Sequence, residues 1–242
     1  MERRDVLAVG IAGAASLAGT TALAQRTKDS KESTAGSFGG PPLSAESAVA
    51  LLVDHQVGLF SLVDDYGPDE FKNNVLALAE TAKNFKLPTI LTTSAETGPN
   101  GVIMPELREI FPDAPFIPRP GQINAWDNAD FVDAVRKTGR KQLIIAGIVT
   151  DVCVAFPTLA ALKEGYQVFV VADASGTFSK QVADAALMRM AHAGAVITNW
   201  FAVACELQRD WRNGGEGLAT LLANHLPAYK NLIVSHSVKA AK

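Results

Sequence analysis

Cysteine is nearly missing from this chain: Cys153 and Cys205 are the only two in 242 residues. Two thiols cannot make a disulfide scaffold, so each is either reactive or simply buried. No block of basic residues follows the N-terminal arginines and the formal net charge is −3. The electrostatic footprint of a nucleic-acid binder is therefore absent, and that class is excluded. No G-x-G-x-x-G follows an apolar run and no G-x-x-x-x-G-K-[ST] occurs, so neither of the usual phosphate cradles supports nucleotide binding. There is no internal repeat, and the four histidines, His55, His192, His225 and His236, are scattered. What is present is a chain that is 48% hydrophobic, long enough for one α/β domain with a full core.

The N-terminus stands apart. Arg3 and Arg4 precede a mildly apolar stretch over residues 6–23, and Ala22-Leu23-Ala24 offers a small-x-small cleavage site. Residues 1–24 read as a signal peptide of the twin-arginine type, although Glu2 and Val6 depart from the usual pattern, with the general secretory route as the alternative. A membrane anchor fits less well, because the stretch is rich in Gly, Ala and Thr. The expectation is an exported, periplasmic protein without a membrane span after cleavage. Residues 25–46, rich in Ser, Lys, Thr and Gly, read as a flexible linker to a domain over 47–213, with 214–242 as a helical extension that packs on a neighbouring subunit.

Within the domain the chain is organised around residues 141–178. An apolar run over 143–149 stops at Thr150 and Asp151, a helical segment follows over 152–164, and a second apolar run spans 168–171. Strand, elbow, helix and strand make a right-handed βαβ unit, and runs this uniformly apolar suit strands buried on both faces. Cys153 sits at the elbow, where free N–H groups and the helix dipole favour a thiolate. Pro157 has no N–H for the carbonyl of Cys153, so the helix is expected to bend there.

Earlier, residues 48–53 read as a strand ending at Asp54, whose carboxylate would enter the crevice where open α/β sheets bind ligands. A helix from Asp69 stops before Pro88, a strand follows over 89–93, and residues 94–105 form a long loop, readable as a lid. Phe116 and Ile117 begin a brief strand ending near Arg119, which Pro118 and Pro120 hold on a stiff support. Helices over 130–138, 179–193 and 201–211 and a strand over 195–200 complete the pattern. Apolar runs alternating with amphipathic helices predict a three-layer α/β/α, doubly wound, mostly parallel sheet.

The segments LLVDHQ around Asp54, PRPGQINAWDN around Arg119 and IIAGIVTDVCVAF around Cys153 resemble the isochorismatase-like cysteine hydrolases, especially their YcaC-like branch. The resemblance runs from about residue 47 to 211. It implies six strands, a homo-oligomer, often an octamer, and a triad in which Cys153 is nucleophile, Asp54 general base and Arg119 the cation. The family usually carries Lys at the third position; an Arg acts through charge and hydrogen bonding only. It also implies a non-proline cis peptide, mapping to Val149–Thr150, with the Val149 or Thr150 amide and that of Cys153 forming an oxyanion hole. The implied reaction is cleavage of a small carboxamide through a thioester. Metal-binding nicotinamidases of the superfamily have an Asp-x-His pair where this chain reads Ser94-Ala95-Glu96, so neither metal nor other cofactor is expected. Gln56, Phe60, Trp126 and Phe156 are candidates for lining the pocket, each equally readable as core or subunit contact. Two other classes compete: a thiol redox sensor built on Cys153, and an oligomeric assembly without turnover.

Overall fold

The computed structural model describes residues 42–240; the expected signal peptide and most of the linker lie outside them. Six parallel strands form one sheet in the order β3-β2-β1-β4-β5-β6. They are β1 Ala48–Val53, β2 Thr89–Ser94, β3 Phe116–Arg119, β4 Gln142–Gly147, β5 Gln167–Val171 and β6 Val196–Thr198. The eight helices among the described residues are α1 Pro68–Asn84, α2 Pro105–Ile110, α3 Ala129–Lys137, α4 Ala155–Lys163, α5 Lys180–His192, α6 Trp200–Gln208, α7 Glu216–His225 and α8 Pro227–Ala240.

The apolar runs become strands because both faces of the sheet are covered. Along β1, Ala48, Ala50 and Leu52 pack into one core layer with Phe71, Val75 and Leu78 of α1 and Trp200 and Val203 of α6. Val49, Leu51 and Val53 alternate into the other, with Phe131 and Val135 of α3 and Ala155 and Ala161 of α4. Side chains two apart share a face, so one uniformly apolar hexapeptide serves two cores. β1 and β4 are hydrogen-bonded neighbours although β2 follows β1 in sequence. The strand order therefore reverses between them, and ligands of open α/β sheets sit at the carboxyl ends of such a pair. Gly147, at the end of β4, is required there: a Cβ would lie 2.3 Å from the Val53 carbonyl oxygen.

Four expectations are corrected. Residues 42–46 do not belong to a linker: Leu43 is fully buried, its carbonyl accepts from the Arg209 guanidinium, and the Ser44 N–H donates to Gln142 Oε1. Trp200 starts α6 rather than ending β6, because the Asn199 side chain accepts from the Ala202 N–H at 2.7 Å and caps the helix. The C-terminal extension is in its first half part of this domain, with Leu218, Leu221 and Leu222 of α7 buried in the core shared with α1. Finally, the elbow helix is not continuous: residues Thr150–Val154 form a π-turn before α4 begins. A wider turn just ahead of Pro157 accommodates the missing N–H, where a bend at the proline was expected.

Candidate active site

Three strand ends deliver the three expected side chains to one place. Asp54 follows β1 directly, with its N–H donating to the Thr92 carbonyl at 2.9 Å and a left-handed backbone, φ 56°, a conformation Asp tolerates better than most residues. Arg119 is the last residue of β3, paired in register with Ser94. Cys153 stands in the π-turn beyond β4. The turn is pinned, since the Ile148 N–H donates to the Val53 carbonyl and the Thr150 N–H to the Gly176 carbonyl.

Asp54 and Arg119 form an ion pair from which solvent is excluded, both side chains being 0% exposed. Guanidinium Nη2 donates to both carboxylate oxygens, with the Asp54 Oδ2 contact at 2.5 Å. The rest of the guanidinium is also committed: Nε donates to Thr92 Oγ1 at 3.0 Å, and Nη1 to the Gln122 and Ile123 carbonyls. Asp54 is in turn hydrogen-bonded to the Cys153 thiol, and the sulfur accepts from the Val149 N–H. Burial pushes the Asp54 carboxyl above its ordinary value, against the pull of Arg119 and the hydrogen bond to Cys153. Burial also pushes the Cys153 thiol up, and the adjacent Asp54 carboxylate adds to that, outweighing the Val149 amide and Arg119.

Both effects favour a resting thiol over the thiolate expected at the elbow. One negative charge is shared between Asp54 and Cys153 opposite one guanidinium; moving the proton from sulfur to carboxylate leaves the net charge of the trio unchanged. A carboxylate raised above its usual range is the better proton acceptor. The same burial weakens the redox-sensor reading, which relied on an exposed, low-pKa thiol. Cys153 and Cys205 are both free.

The oxyanion hole is corrected as well. The cis peptide joins Ile148 to Val149, one residue earlier than expected, and the Thr150 N–H is spent on Gly176. The Val149 amide faces the sulfur, and the Cys153 amide lies in the same turn.

A cavity of about 150 Å³ opens over Cys153 and Asp54, walled by Leu59, Leu62, Ile123, Ile148, Val149 and Phe178, with Ser94 and Asn100 as neutral polar neighbours. A roomier depression of about 500 Å³ beside α1 and α7 contains no cysteine. None of the four pocket candidates lines the cavity over Cys153. Gln56 is fully buried and holds the long loop: its amide donates to the Ser94 and Gly101 carbonyls and accepts from the Ser94 N–H. These bonds tie both ends of the loop expected to act as a lid, which places Asn100 on the cavity. Phe60 packs on Phe71 at 5.1 Å between centroids. Trp126 is buried edge-on against Phe131 and Tyr166 and donates to Glu164, while Phe156 packs on the α3–α4 side of the sheet beneath Arg189. Leu59 and Leu62 were missed, yet a signal existed: in the short 3₁₀ turn Leu59–Leu62, residues three apart share a face, which points Phe60 elsewhere.

His55 takes no part in the trio. It is buried, its Nε2 meets the Ala174 carbonyl at 3.0 Å, and burial lowers its pKa to about 4. Among the described residues no group of three His, Cys, Asp or Glu side chains is disposed to hold a metal.

A doubly wound parallel sheet with a buried acid and cation beside a part-buried thiol at its switch point belongs with the isochorismatase hydrolases, and the isochorismatase domain model matches residues 48–201. The chain belongs to the isochorismatase family and is a hydrolase of that family. Within it the chain falls in the YcaC branch. It is 64% identical over 194 residues to the probable hydrolase YcaC of Escherichia coli, covering 80% of this chain and 93% of that one. A crystal structure of the E. coli YcaC gene product, described as an octameric hydrolase of unknown specificity, superimposes with TM-score 0.80 over 81% of this chain and 97% of that one. YcaC from Pseudomonas aeruginosa, solved with hexane-2,5-diol and covalent acrylamide, is 66% identical with TM-score 0.82, covering 83% of this chain and 100% of its own.

Proposed function

We propose that this hydrolase cleaves the C–N bond of a small carboxamide, with Cys153 as nucleophile, Asp54 as proton carrier and Arg119 as the cation that holds Asp54. The observation that carries the reading is that Asp54 touches both the Cys153 thiol and the buried Arg119 guanidinium at the floor of a cavity. Asp54 takes the thiol proton as the sulfur attacks the carbonyl carbon. The oxyanion that forms is met by the Val149 and Cys153 amides. Asp54 then gives the proton to the departing amine, leaving a thioester. A water molecule, deprotonated by Asp54, attacks the thioester; the acid leaves and the proton returns to Cys153. Arg119 keeps Asp54 aimed throughout and takes no proton.

The covalent acrylamide on the P. aeruginosa relative is the kind of electrophile that a thiol nucleophile takes up, which supports the assignment. By the same likeness the working form is a homo-oligomer, as the E. coli relative is an octamer. Residues 1–24 direct export to the periplasm, a reading that rests on the paired Arg3 and Arg4. Turnover of an amide panel tests the chemistry. Cys153→Ala and Asp54→Asn are expected to lose hydrolysis while keeping the circular dichroism of the parent. An active Cys153→Ala protein would end the proposal.

A further inference from the structure

The chemistry of the wall goes further than the reaction type. An apolar cavity of about 150 Å³ is the size that takes up benzene, and the cavity over Cys153 has that volume. Its sides are Leu59, Leu62, Ile123, Ile148 and Phe178, while Ser94 and Asn100 add neutral donors and acceptors. No Lys, Arg or His lines it among the described residues. The nearest cation, Arg119, lies behind Asp54 with 0% side-chain exposure, and its Nε, Nη1 and Nη2 all donate to protein oxygens. A carboxylate on a substrate would thus find no positive partner. It would meet instead the negative end of the ion pair, since Asp54, and not Arg119, reaches the cavity. Stripping water from such an anion without a compensating charge is strongly unfavourable.

We infer that the site selects small, uncharged acyl groups whose apolar part has about six carbons at most, and rejects substrates that carry a free carboxylate. The inference rests on the proposed role of Cys153 and adds selectivity to it. Ile123 and Phe178, 64% and 47% exposed, stand at the mouth and set what enters. Leu59 and Ile148 fix how far an acyl chain reaches.

Iodoacetamide and iodoacetate test this without any turnover. They match in size and differ in charge; each forms an S–C bond as iodide leaves with the C–I pair and the thiol proton passes to Asp54. Rates at Cys153, followed by peptide mass spectrometry and divided by the rates of free glutathione at the same pH, are expected to favour iodoacetamide by at least ~tenfold, as like-charge rejection implies. Ile123→Lys, at an exposed position, is expected to bring that ratio down several-fold by placing a cation at the mouth. A normalised ratio near one in the parent protein, or no modification of Cys153 by either reagent, would overturn the inference. In a parallel assay, butyramide, hexanamide and benzamide are expected to be hydrolysed and succinamic acid, an amide with a free carboxylate, is not. If no amide turns over while the alkylation ratio holds, the hydrolase chemistry fails and the charge selectivity of the cavity stands; efficient hydrolysis of succinamic acid overturns the selectivity alone.

Discussion

Replacing Arg119 by Met removes the positive charge that faces a fully buried carboxylate while keeping most of the side-chain volume. Breaking a buried pair by deleting one partner costs roughly 3–5 kcal/mol, because the remaining charge is left uncompensated. Three acceptors also lose their donor: Thr92 Oγ1 and the carbonyls of Gln122 and Ile123. Thr92 Oγ1 remains a donor to the Ile117 carbonyl at 2.7 Å, so its orphaning is partial. The acceptors together contribute about 1–3 kcal/mol of the total, and the Asp54 charge the rest. That division predicts a pH dependence with a definite sign. Asp54 in the folded protein already binds its proton more readily than an ordinary carboxyl. Its contribution to stability is therefore largest at acid pH and is lost as pH rises through the folded value. Without Arg119 that folded value moves higher still. The stability gap between parent and Arg119→Met should then widen with rising pH between the two folded values, by at most about 1.4 kcal/mol per pH unit. Below the parent's Asp54 value, only the orphaned-acceptor portion remains. Urea unfolding at fixed protein concentration from pH 4 to 8 measures the gap, and the Asp54→Asn, Arg119→Met double variant should cost less than the sum of the two singles. A gap that stays constant across this range, or one below about 1 kcal/mol at pH 8, would refute the buried-charge argument.

The acid limb of kcat/KM should lie above the range of an ordinary aspartate, because burial raises Asp54; a pH–rate profile that is flat from pH 4 upward contradicts it as the base. Gln56→Leu deletes three hydrogen bonds to the 94–101 backbone, so a loss of roughly 2–4 kcal/mol and faster proteolysis within that loop are expected. Gly147→Ala drives a methyl into the Val53 carbonyl oxygen. It should separate the ends of β1 and β4, cutting both stability and activity, whereas Gly139→Ala, with nothing within 4 Å of its Cβ, should leave activity unchanged and cost little more than the strain of its positive φ.

The strands were legible because each apolar run has to fill two cores, and that requirement leaves a continuous hydrophobic string bounded by polar or turn residues. β1 falls on the expected residues, and β4 and β5 begin within a residue of expectation. Asp54, Arg119 and Cys153 were each marked by a local feature, a strand end, a proline-flanked arginine and an elbow, whereas their grouping into a trio was implied only by the family resemblance. The pocket was not legible, because lining depends on which way a side chain points in an irregular segment. Phe60 and Leu59 are neighbours in sequence and both pack against the core, yet Leu59 lines the cavity and Phe60 does not. Trp126, conspicuous by type, finds its N–H partner in Glu164, the residue that follows α4. The protonation state of Cys153 was misjudged because a helix dipole acts within a turn, whereas burial and a carboxylate contact arise from segments about a hundred residues apart. The terminal boundaries failed similarly: Leu43 is held by Arg209 and Phe71 shares a core with Leu222, pairings that no local pattern announces.

The central claim, that the Cys153 sulfur becomes covalently acylated during amide cleavage, is tested most directly by rapid-quench mass spectrometry of the protein turning over a slow amide such as benzamide. The expected result is a transient mass increase equal to the acyl group, mapped to the peptide containing Cys153 and absent from Cys153→Ala. Hydrolysis that proceeds with no adduct at any quench time, or with the adduct on Cys205, would contradict the account.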